Sequence, residues 1–189
     1  MSGFAALHAD AFALLSSWDH PQPEQRVLRD EYLVFLREHR DAMSRACGVG
    51  HLTSSALVMD EDRSRVLLTL HPKVGRWLQL GGHNEVDDAS VRDAAIRETR
   101  EESGIWQVDM SEFPLRLDRH PVPCAGRMSE HLDVQFLAHV PRDAREVMSL
   151  ESDDLRWFPI AAMPEPLDPA VRALVHAAVS GSGTSRGLG

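Results

Sequence analysis

A helix that packs on a core buries one stripe, and in residues 90–104 that stripe changes chemistry halfway along. Ser90 with Asp93 three residues later has the pattern of a capping box, and Gly104 is placed to end the helix. Between them the stripe runs through Val91, Ala94 and Ala95, then through Glu98, Glu101 and Glu102. Spacings of three and four put Val91, Ala95, Glu98 and Glu102 on one face. Like charges at these spacings repel by about 0.2–0.5 kcal/mol per pair. Carboxylates near a helix C-terminus also oppose the macrodipole. A merely solvated acidic face carries both penalties, whereas a bound divalent cation removes them. Three clustered carboxylates suit a hard, oxygen-seeking ion, Mg²⁺ or Mn²⁺. The sequence has no Cys/His cluster with zinc-like spacing, so zinc is not expected.

The preceding segment fits the same reading. RWLQL (76–80) reads as a strand ended by Gly81 and Gly82, and the loop then leads into the acidic helix. Glycines there let backbone approach a ligand closely.

The rest of the chain places this unit. Residues 1–47 read as a helical extension. It has a first helix over residues 1–18, broken by Pro21 and Pro23, and a second of ~20 residues from Glu24, with Gly48 as its stop. The second helix is expected to pack on the main domain or on a second subunit. The first 18 residues are apolar but lack a basic n-region and are interrupted by His8 and Asp10, unlike a signal peptide. Residues 48–180 read as one domain of mixed strands and helices, α+β or α/β. Strands fall at 53–59, 65–71, 113–119, 132–138 and 155–160, with a last helix capped by Asp168 and Pro169. The tail, residues 181–189, reads as disordered.

A formal net charge of −9 argues against a nucleic-acid polymer as partner, since such binding rests on basic patches. It does not exclude a small phosphorylated ligand, whose charge a metal ion can neutralise. No window approaches the ~18 apolar residues of a membrane span. Two cysteines, Cys47 and Cys124, make no disulfide framework, which fits a reducing cytoplasm.

GGHNEVDDASVRDAAIRETREESGI (81–105) resembles the Nudix box, G-x5-E-x7-R-E-U-x-E-E-x-G-U, of the Nudix hydrolase superfamily. Arg97, Glu98, Glu101, Glu102, Gly104 and Ile105 sit in register. Counted from Gly82, the first acidic position falls on Asp88, eight residues instead of seven then precede Arg97, and Thr99 replaces the aliphatic residue. The resemblance implies an α/β/α sandwich around a mixed sheet. It also implies a Mg²⁺-dependent pyrophosphohydrolase that cleaves a nucleoside diphosphate linked to another group. Glu98 and Glu102 would be the main metal ligands, joined by Glu101 and the Gly82 carbonyl, with Arg97 orienting the glutamates. The general base would be Glu98, or Glu151 or Asp154 outside the box.

His83, beside the glycines, is a candidate for touching phosphate or metal. His120 and His131 flank PVPCAGRMSE, read as a proline-punctuated loop walling the substrate site. Arg76, Arg116, Arg119 and Arg127 are candidate phosphate clamps. Trp77, Trp106 and Trp157 read as packing residues, and Cys124 as a free thiol. A Nudix-fold binding or regulatory module without catalysis is the competing reading, and the intact set of carboxylates favours the enzyme. Isopentenyl diphosphate isomerase, of related fold, would need a cysteine near Gly81 or Gly82, and none is there. Partners expected are a small diphosphate and, by family habit, a second copy of the chain.

Overall fold

A computed structural model describes residues 3–124, 127–150 and 152–180, without the side chains of Cys124 and Arg127. The tail and Glu151 lie outside the described residues. The elements are α1 (Phe4–Ser17), α2 (Pro23–Glu38), β1 (His51–Asp60), β2 (Arg65–His71), β3 (Arg76–Leu78), β4 (Leu80–His83), α3 (Val91–Ser103), β5 (Asp109–Met110), β6 (Arg116–Cys124), β7 (Arg127–Val140), β8 (Asp154–Pro159) and α4 (Pro169–Ser180). The fold is α+β, one mixed sheet of eight strands with helices on both faces.

β1 is the central strand. It runs parallel to β7 through ten pairs, from His51↔His131 to Asp60↔Val140. Its other edge is shared. The first half pairs antiparallel with β4, from Thr53↔His83 to Ala56↔Leu80, and the second half meets β2 at Val58↔Leu67 and Met59↔Val66. β2 also carries β3 and β8, and β7 also carries β5 and β6. Every residue of β1 is buried, as expected of a strand covered on both faces.

One face packs Leu52, Ala56, Val58, Val134, Phe136 and Ala138 against α1, α2 and α3. The other packs Leu57, Met59, Val66, Leu68 and Trp77 against α4. Leu7, Ala11 and Leu15 of α1 and Tyr32 and Leu36 of α2 are fully buried in the first of these clusters. The N-terminal helices therefore share the core of the sheet. Among the described residues no helix is long and apolar enough to cross a membrane.

Several expectations need correction. α2 stops at Glu38, short of Gly48, because His39 is extended (φ −122°, ψ 98°). Ala42 and Met43 are buried from turns instead, and the Ala42 carbonyl accepts the Leu52 N–H at 2.8 Å. Gly81 and Gly82 do not end a strand but lie within β4. Gly81 (φ 152°) lies so close to β1 that a Cβ would stand 2.3 Å from Ser55 Cβ. Over its described residues the proline-punctuated segment is strand and not loop, because Pro121–Cys124 of β6 pair with Arg127–Glu130 of β7. β6 tolerates Pro121 and Pro123 because it is an edge strand. Both share the parity of Leu117, whose N–H and C=O turn outward to Gln25 Oε1 (2.7 Å) and Nε2 (3.2 Å). The missing proline N–H groups would have pointed away from β7.

That Gln25 bridge, with the Tyr32 hydroxyl donating to the Asp118 carbonyl at 2.7 Å, ties α2 to β6. Gln25 is buried, so Gln25→Ala leaves two backbone groups of Leu117 unpaired. Urea unfolding should show a loss of about 1–3 kcal/mol. A change within experimental error would show that water replaces the bridge.

Candidate active site

α3 begins and ends as its sequence dictates. Ser90 Oγ accepts the Asp93 N–H at 3.0 Å, and Gly104 takes the left-handed conformation (φ 68°). α1 adds a second cap, since Asp10 Oδ2 accepts the Val91 N–H at 2.9 Å. Burial raises the Asp10 pKa, and this hydrogen bond opposes the rise. Thr99, in the box's aliphatic position, is fully buried with its hydroxyl donated to the Ala95 carbonyl at 2.7 Å.

The helix then aims its acids at the glycines of β4. The Gly81 N–H donates to Glu102 Oε2 at 3.1 Å. A Cβ on Gly82 would lie 2.8 Å from Glu98 Oε1, so a larger residue there would push that carboxylate aside. Arg97 organises the group from its side. It donates to Glu98 Oε1 (2.9 Å), Glu101 Oε2 (3.0 Å), the His83 carbonyl (2.9 Å) and both oxygens of Asp88 (2.9 and 3.0 Å). These acids, Asp88 foremost, hold the guanidinium in its charged form. Asp88 is thus the acid that the shortened side chain and the extra loop residue bring to Arg97. The donor set, two carboxylates beside a glycine backbone, is all oxygen and fits a hard divalent cation.

Adjacent residues of a strand point to opposite faces. Gly82 faces α3, and His83 faces the other way, together with His51 and His131. These three rings lie 4.8–5.3 Å apart, centroid to centroid. His120 lies 5.5 Å from His131 and is held through Nδ1 by Asp118 at 2.7 Å, which raises its pKa. Burial lowers the pKa of His51 to about 4 and of His131 to about 3, and it lowers that of His83. Beside them Asp133 is buried, accepting from Thr53 (3.0 Å), Ser55 (2.6 Å), Gln79 (3.2 Å) and Gln135 (3.1 Å).

The remaining sequence candidates are dispersed. Arg76 is exposed at the start of β3. Arg116 donates to Gln22 at 3.4 Å, and Arg119 is committed to Glu130 and Glu31. Asp154 opens β8, engaged by Arg156 at 2.5 Å and by the Leu155 N–H at 2.9 Å, rather than by the α3 group. The side chains of Arg127 and Cys124, and all of Glu151, lie outside the described residues. Trp77 packs in the core against Phe158 (4.7 Å), and Trp157 donates to Glu146 at 3.0 Å. Trp106 is 73% exposed, with Arg100 over its ring. Sequence reasoning missed Asp10, His51 and Asp133. Asp133 and Gln135 sit at the polar positions of an alternating strand, which reads as solvent-facing although both are buried.

The model of the NUDIX domain family matches residues 50–178. The chain belongs to this family and is a Nudix hydrolase, of the class acting on phosphoric anhydride bonds. Comparison with curated proteins gives no match. Among solved structures, a NUDIX-family hydrolase from Clostridium perfringens is 24% identical, covering 69% of this chain and 95% of its own, with a TM-score of 0.53. The Ap4A hydrolase of C. elegans is 17% identical over 69% and 96%, with a TM-score of 0.55. The NUDIX domain of Shewanella oneidensis NrtR, complexed with ADP ribose, is 20% identical over 74% and 92%, with a TM-score of 0.54. At these identities the likeness is one of fold.

The depressed histidines have a consequence for stability. In the unfolded chain both His51 and His131 titrate near 6.5. Between that value and about 4 the unfolded state binds more protons, so stability falls as pH drops through this window. Melting temperatures in EDTA should decline from pH 6.5 to 4, and His131→Gln should reduce the slope by about one proton. An unchanged slope in the variant would remove His131 from the account.

Proposed function

We propose that the chain is a Mg²⁺- or Mn²⁺-dependent pyrophosphohydrolase cleaving a nucleoside diphosphate linked to another group. The observation that carries this is the convergence of Glu98 and Glu102 on the Gly81–Gly82 backbone, with Arg97 bridging Glu98, Glu101 and Asp88. Glu98, Glu102 and the Gly82 carbonyl would hold the ion, with Glu101 contributing at the exposed side. When bound, a divalent ion neutralises phosphoryl charge and acidifies water. The protein's share is positioning, which is most of what phosphoryl transfer asks of an enzyme. Arg97 orients Glu98 and Glu101, and the Gly81 N–H orients Glu102.

In the reaction a water oxygen forms a bond to phosphorus, the bridging P–O bond breaks, and a phosphate leaves. Glu98 would take the water's proton, with Glu151 and Asp154 as the alternatives. His83 and His131 would meet the substrate on the opposite face of β4, with Arg76 and Arg127 as outer phosphate contacts. The substrate is a small diphosphate, a nucleotide derivative by analogy with the Ap4A and ADP-ribose relatives. A cytoplasmic location and a homodimer belong to the same reading.

The test is product release across nucleoside diphosphate derivatives with Mg²⁺ or Mn²⁺. Glu102→Gln should lose about 100-fold or more in turnover. Metal-independent binding without turnover by the intact chain would instead favour a non-catalytic module. Asp88→Ala frees one side of Arg97 and should cost about 10–100-fold in turnover or metal affinity with the fold retained. Full activity in that variant would remove Asp88 from the positioning of Arg97.

A further inference from the structure

We propose that His51, His83 and His131 form a three-imidazole site for a divalent transition metal of the zinc class, separate from the carboxylate site. In sequence the three residues are too far apart to suggest it, and the expectation of no zinc rested on that spacing. The sheet brings them together. His51 stands opposite His131 in the β1–β7 register, and His83 stands opposite Thr53, one step along the same face of β1. One ring nitrogen from each lies within 4.8 Å of the others.

Two of the three rings carry buried nitrogens with no hydrogen-bond partner. His51 is fully buried, and neither of its nitrogens has a hydrogen-bond partner. His83 Nε2 is buried and unpartnered as well. A buried polar ring without a partner is costly and calls for an explanation. A bound ion supplies one, because each neutral imidazole offers a lone pair.

Nitrogen donors select zinc and its neighbours over Mg²⁺, which prefers oxygen. Tetrahedral binding at Zn–N distances near 2.1 Å needs nitrogens about 3.4 Å apart. His83 and His131 are only partly buried, so they can rotate to close the gap. The same partial exposure leaves a fourth position open to water or to a phosphate oxygen. Three neutral ligands leave the ion's double charge in place, which suits an anionic fourth ligand. This site uses none of the Glu98–Glu102 carboxylates, but the proposed hydrolase reading also sets His83 and His131 against the substrate, so metal binding and not activity is its readout.

The test uses the full chain, stripped of metal and titrated with Zn²⁺ in excess Mg²⁺, with Co²⁺ as a spectroscopic probe. One equivalent of Zn²⁺ should bind without displacement by Mg²⁺, and Co²⁺ should give the intense visible bands of tetrahedral coordination. His131→Gln and His83→Gln should each bind Zn²⁺ at least about 100-fold more weakly while keeping the wild-type circular dichroism. Glu98→Gln/Glu102→Gln should bind it unchanged. Absence of Zn²⁺ binding, displacement by Mg²⁺, or loss in the glutamate variant with retention in the histidine variants would overturn the site.

Discussion

Everything in the molecule is hung on the ten-residue parallel pairing of β1 with β7. The two strands are far apart in sequence, so closing that loop is a cost that local contacts do not share. The return is a strand buried along its whole length, with β4 and β2 dividing its second edge. The division matters. Because β4 takes the first half of that edge, the Gly81–Gly82 backbone lies against α3. Because β2 takes the second half, the apolar end of the sheet is left for α4.

The pleat of β4 then separates two chemistries across one peptide bond. Gly82 presents backbone to the carboxylates of α3, and His83 presents a ring to the opposite face. Oxygen donors and nitrogen donors stay apart although their residues are neighbours. The acidic side is held by Arg97, a permanent cation in the midst of mutually repelling acids. The histidine side is held by burial, which keeps the rings neutral and so avoids the same repulsion.

Legibility in the sequence followed the range of the forces involved. The limits of α3 could be read from Ser90 and Gly104 because capping is local, and the strand at 65–71 from its apolar run. The acidic stripe was legible because a helix has a fixed period. What could not be read depended on partners distant in the chain. Asp10 looked like an interruption of an apolar helix until α1 met the first turn of α3. Asp133 looked solvent-facing until Thr53, Ser55, Gln79 and Gln135 surrounded it. His51, His83 and His131 carry no common spacing, since the register of three strands unites them. PVPCAGRMSE was misread because prolines argue against strands in general, but not on an outward-facing edge.

That edge also limits how the protein can associate. An exposed strand invites another to add to it, backbone to backbone. Along β6 the outward groups of Leu117 are already taken by Gln25, and Pro121 and Pro123 have no N–H to offer. Only Arg119, between them, keeps an outward N–H. A second chain seeking a ladder would find few N–H donors to pair with. Strand addition at this rim is therefore disfavoured, because the prolines and the Gln25 bridge remove most of the donors that cross-β growth needs.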